Sequence, residues 1–110
     1  MSFDPELADR VRALLALDAD VVEKPMFGGL SFLIGGHIAV AVSSAGGLLM
    51  RAEADEREQL LAMAHVRPAV MGKRTMNGWV HVDAAGVAAD GDLREWVGLG
   101  VNLARSLPAR

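Results

Sequence analysis

At 110 residues the chain has the length of one domain, 1–110, and is long enough to bury a core without disulfide or metal staples. It contains no cysteine, which excludes a disulfide framework, a thiolate nucleophile and a Cys-type zinc site and fits a reducing cytoplasm. Eleven Lys and Arg against fourteen Asp and Glu give a net charge of −3, which argues against direct DNA binding, because basic contacts to phosphate supply most non-specific affinity.

Asp4-Pro5-Glu6 reads as a helix start: a capping side chain, a residue whose fixed φ suits the first turn, and an acid at the positive end of the dipole. The helix is expected from Pro5 to about Leu17, with Leu7, Val11, Leu14 and Leu15 as its buried stripe. From Val21 the pattern changes to short β-type runs, Val21 to Phe27, Leu30 to Ile34, Ile38 to Ser43 and Leu48 to Ala52. Gly35-Gly36 and Ala45-Gly46-Gly47 are the hairpin turns of an antiparallel meander. A second helix is expected from Ala54 or Asp55 to about Ala64, closed by Arg67-Pro68. A strand from Gly78 to Asp83 follows, paired with a short extended piece around Ala69 to Met71, and Asp83 to Gly86 reads as a turn. The last helix starts near Asp90 or Asp92 and carries Leu93, Trp96, Val97, Gly100, Val101, Ala104 and Leu107 at helical spacing up to Pro108. Gly98 and Gly100 inside it read as a packing feature.

The order helix, meander, helix, strands, helix predicts an α+β two-layer sandwich around an antiparallel sheet. Apolar runs are broken well before the ~18 residues that span a bilayer, and the first six residues lack a basic segment leading into an apolar one, so neither an export signal nor a membrane span is expected. Hydrophobic residues make up 52% of the chain and the mean hydropathy is +0.27, a large apolar load for one small domain. The meander strands are apolar at both parities, Leu30, Phe32 and Ile34 against Leu33, and Ile38, Val40 and Val42 against Ala39 and Ala41, so both faces of the sheet should be covered. Helices account for one face. A second subunit is the simplest cover for the other, which predicts a homodimer; the alternative is a sheet curled enough for loops and the third helix to finish the cover.

Two segments carry more than composition: Lys24-Pro25-Met26-Phe27-Gly28-Gly29-Leu30-Ser31-Phe32, and Met76-Asn77-Gly78-Trp79-Val80-His81-Val82. With the Arg-ending strand Leu48-Leu49-Met50-Arg51 between them, they resemble the N-terminal domain of the TfoX/Sxy competence-regulator family, from about Leu7 to about Leu103. The resemblance implies a secretion chaperone-like, TfoX-N-like α+β fold in which Met26, Phe27, Gly28, Gly29, Met76, Gly78 and Trp79 are structural signatures, and it implies no catalytic role. It also implies a place in transcriptional regulation of competence through a protein partner. Full-length regulators of the family carry a second, C-terminal domain, so this chain is expected to be a stand-alone single domain.

Candidate chemistry is sparse. Gly28-Gly29 leads into a strand rather than a helix, and neither a P-loop nor a complete G-x-G-x-x-G is present, so no nucleotide cofactor is expected. His37, His65 and His81 fall on a hairpin, a helix end and a strand without metal-ligand spacing, so no metal is expected. His81 and Asp83 share a strand face with Trp79, and a histidine beside a carboxylate can act as a general base; yet no motif places a Ser or Thr nucleophile, and an outward-facing strand histidine is ordinarily solvated. A non-enzymatic interaction domain is therefore expected. No acid occurs between Glu58 and Asp83, so Arg67, Lys73 and Arg74, with Arg51 and the aromatic anchor Trp79, form a candidate contact for an acidic partner, a small anion or nucleic-acid phosphate.

Overall fold

A computed structural model describes residues 3–26, 28–71 and 73–108, in the order α1 (Pro5–Leu14), β1 (Val21–Met26), β2 (Gly29–Ile34), β3 (His37–Val42), β4 (Leu48–Arg51), α2 (Ala54–Leu61), β5 (Val66–Met71), β6 (Arg74–Val82) and α3 (Asp90–Ser106). Asp4 caps α1 as expected, its Oδ1 accepting from the Glu6 and Leu7 N–H groups at 2.9 and 3.4 Å. The helix stops short of Leu17. Its last turn tightens as Ala16 N–H bonds Ala13 O and Asp18 N–H bonds Leu15 O, which leaves Leu17 99% exposed.

The strands form one antiparallel sheet in the order β1-β2-β3-β4-β6-β5. Leu30 pairs with Val42, Val42 with Leu48, and Leu48 with Val82, which puts even-numbered residues of the central strands on one face. There Phe32, Val40, Val42, Leu48, Met50 and Val80 are buried, and the helices pack on them. α1 contributes Leu7, Ala8 and Val11, α2 contributes Leu60 and Leu61, and α3 contributes Leu93, Trp96 and Val97. Charge ties the layers at their edges. Arg12 of α1 forks onto both carboxylate oxygens of Glu23 on β1, each at 2.8 Å, and Arg105 of α3 reaches Asp18 at 2.7 Å and Asp20 at 3.1 Å.

The third helix thus shares the side of the first and does not cover the opposite face. The α+β order is as read from the sequence, but the second half is more β-rich. Arg67-Pro68 does not close a helix. α2 ends at Leu61, His65 turns the chain in the left-handed region (φ 69°), and Arg67 and Pro68 lie inside β5. Proline is tolerated there because β5 is an edge strand, where a missing N–H costs no ladder bond. The strand expected from Gly78 starts at Arg74, since Arg74 and Thr75 pair with Met71 and Val70 across a tight hairpin. Their polar side chains hid the strand from a reading based on apolar alternation. The Asp83 to Gly86 turn is a short 3₁₀ helix, Ala84–Val87.

Gly78 interrupts β6 with a φ of 84°, a conformation that side chains resist, and β5 shifts register opposite it between Pro68 and Val70. The hairpin bends at this point. Beyond the bend, Val70 and Met76 line the same cleft as Met26 of β1, at the other edge of the sheet. In a flat sheet β1 and β5 would stand about 24 Å apart at strand spacing, so the sheet is strongly curled away from its helices.

Candidate functional site

The concave face lines a trough. Met26, Leu33, Ile38, Leu49, Met76 and Trp79 are half-buried along it, while Val22 and Val70 at its rims are 60% and 54% exposed. Two clefts meet at Met26. One, of about 180 Å³, lies between the Ser43 to Ala45 turn, Leu49, Val70 and Met76 and is mainly apolar. The other, of about 270 Å³, is lined by Lys24, Leu33, His37, Ile38, Arg51 and Trp79.

The residues expected to contact a partner or anion are not gathered in one patch. Arg51 and Trp79 are direct cross-strand partners between β4 and β6 and share the larger cleft. Arg67 lies across the sheet and is spent on Asp83, its Nε donating to Oδ1 at 2.8 Å. This bond is the main reason the Asp83 carboxyl is held below the usual carboxylate range; the proximity of His81 adds to it. Lys73 and Arg74 are exposed at the far end of the β5–β6 hairpin. Lys24 and His37 were missed as a pair with Arg51 and Trp79, although the alternation of Lys24 with Met26 in β1 is visible in the sequence. Their meeting depends on the curl, which no local pattern announces.

His81 does sit beside Asp83, but it does not face outward. It is 4% exposed, because the Ala45 to Gly47 turn closes over it and the Gly46 carbonyl accepts from its Nε2 at 2.6 Å. Its Nδ1 lies 3.2 Å from Asp83 Oδ1, within ion-pair distance but not aligned for a hydrogen bond. Ser43, the nearest buried hydroxyl of that turn, accepts the Ala45 N–H at 3.0 Å. The His81 Nε2 bond ties the turn to β6 and the Ser43 bond shapes the turn itself, while His81 Nδ1 has no hydrogen-bond partner among the described residues. No cluster of three or more potential metal ligands occurs among the described residues.

The signature positions find physical roles. Met26 lines both clefts, Met76 lines one and Trp79 the other, and Gly78 marks the bend between Met76 and Trp79. Gly29 opens β2 opposite Met26, a strand entry and not a phosphate cradle, while Phe27 lies outside the described residues.

The class this architecture defines is an α+β domain of one open six-stranded antiparallel sheet with helices on a single face. A model of the TfoX N-terminal domain family matches residues 13–104, and the chain belongs to that family. No curated protein and no solved structure matches it.

Proposed function

We propose that this is a non-enzymatic protein-interaction domain that pairs with a second copy of itself through the apolar half of its trough. The observation that carries the reading is the row of half-buried apolar side chains on the helix-free face, ending in the more than half-exposed Val70. A rim that projects beside a cleft suits a two-fold contact, in which the Val70 rim of each copy enters the partner's cleft between Leu49 and Ala45. Membership of the TfoX N-terminal domain family supports a cytoplasmic role in transcriptional regulation, with the dimer presented to a regulatory protein partner. No helix among the described residues is long and apolar enough to cross a membrane.

Mass in solution tests the pairing. Light scattering after size-exclusion chromatography should give twice 11.6 kDa, and the dimer should persist in high salt because an apolar contact is not screened. Val70→Glu, at an exposed position, should return the monomer with the fold intact. A parent protein that stays monomeric up to ~100 μM, well above the Kd of a specific dimer, would remove the reading.

A further inference from the structure

We propose that the larger cleft binds a small carboxylate carrying a flat apolar body. The inference does not rest on self-association, because Ala45, Leu49 and Val70, the residues of the proposed two-fold contact, do not line this cleft.

Five strands build this cleft: Lys24 comes from β1, Leu33 from β2, His37 from the start of β3, Arg51 from the end of β4 and Trp79 from β6. In a flat sheet β1 and β6 would lie about 19 Å apart, so the curl of the sheet is what assembles the group. Its charge is one-sided. No Asp or Glu lines the cleft, although acids outnumber bases in the chain. Arg10, Arg12, Arg67 and Arg105 are each paired with a carboxylate, whereas Arg51 and Lys24 have no ion pair or hydrogen bond among the described residues. The missing countercharge is the first half of the ligand. Arg51 offers a planar fork that matches a carboxylate with two parallel bonds, and Lys24 adds a point charge.

The walls supply the other half. Leu33, Ile38, Met26 and the Trp79 indole are half-buried and apolar, surfaces that an inorganic anion would leave wet. Trp79 stands opposite Arg51 in register, so its ring can stack on a flat group whose carboxylate reaches the guanidinium. A space of about 270 Å³ equals the liquid volume of roughly nine waters and sits just below the usual range for ligand pockets, which limits the occupant to a single ring with a short acidic arm. His37 completes the wall, its Nε2 already engaged with the Pro108 carbonyl at 2.5 Å.

The test uses the intact chain and 3-phenylpropionate as probe, followed by amide and indole NMR shifts. Saturable shifts at Arg51 and the Trp79 indole are expected, with a Kd on the order of 1 mM, the strength available to a ligand of this size. The uncharged analogue 3-phenylpropanamide should bind at least about tenfold more weakly, the scale of one lost charge-assisted contact. Arg51→Met should weaken phenylpropionate by a similar factor, and Arg51→Lys by less; Arg51 is exposed, so both variants should keep the parent's spectral dispersion. Inorganic phosphate should shift these resonances only weakly. The proposal is overturned if no saturable shift appears by ~10 mM, ten times the expected Kd, if the amide binds as well as the acid, or if phosphate matches phenylpropionate. Because the mass of the protein is measured without probe, failure here and failure of the dimer are separate results.

Discussion

Two glycines on one helix should respond in opposite directions to the same substitution. Gly98 and Gly100 both lie in the interior of α3, where alanine is favoured over glycine by about 1 kcal/mol. Around Gly98 a new Cβ meets nothing within 4 Å, so Gly98→Ala should keep that gain and raise Tm by about 4 °C. At Gly100 the Cβ would run into the Ala39 carbonyl oxygen, with Val40 Cγ1 at 2.8 Å and the Ala39 carbonyl carbon at 3.0 Å. Ala39 is the extra residue at the register shift of β3, and its neighbours Ile38 and Val40 are both paired with β2, so its backbone is pinned on either side and the overpacking cost belongs near the upper end of the usual range, about 3 kcal/mol. Net of the helix gain, Gly100→Ala should lose about 2 kcal/mol and lower Tm by about 8 °C. Thermal unfolding followed by circular dichroism separates the two variants by a wide margin. A stabilised Gly100→Ala would show that α3 does not seat against β3 as closely as described.

Arg67→Ala should let the Asp83 carboxyl return toward the ordinary carboxylate range, seen by NMR titration of its carboxyl carbon; an unchanged midpoint would deny Arg67 its part. Because the folded-state value is lowered, the pair stabilises the fold above the unfolded value near 3.9 and that contribution fades as pH falls through the folded value. The variant should therefore lose stability at neutral pH but little at pH 2. Asp4→Ala removes both capping bonds of α1 and should cost about 1 kcal/mol in denaturant titrations, while Asp4→Asn should cost much less.

What local chemistry controls was legible. The α1 cap, the meander and the stripe of α3 follow from side-chain spacing, and Leu93, Trp96, Val97, Gly100 and Ala104 are all buried as their period requires. The β5–β6 hairpin was only partly legible, since Arg74 and Thr75 obey pairing and not burial. The doubly apolar meander correctly pointed to two burdened faces, but the sequence could not tell that a single bend at Gly78 would shape the second into a trough. His81 was misread for the same reason: strand parity gives the face, and only the fold of the Ala45 to Gly47 turn says that this part of the face is closed.

The placement of α3 also bears on how the chain is made. The meander that it covers is complete at Arg51, yet α3 begins only at Asp90 and ends at Ser106. At ribosomal rates of about 5–20 residues per second, roughly 3 to 11 seconds pass before the helix is available. During that interval Phe32, Val40 and Val42 lack the shelter of α3, and until β6 has emerged the β4 edge, where Leu48 later meets Val82, is unpaired as well. The nascent domain thus passes through an adhesive stage after the meander has emerged, and α3 ends it by closing over that face.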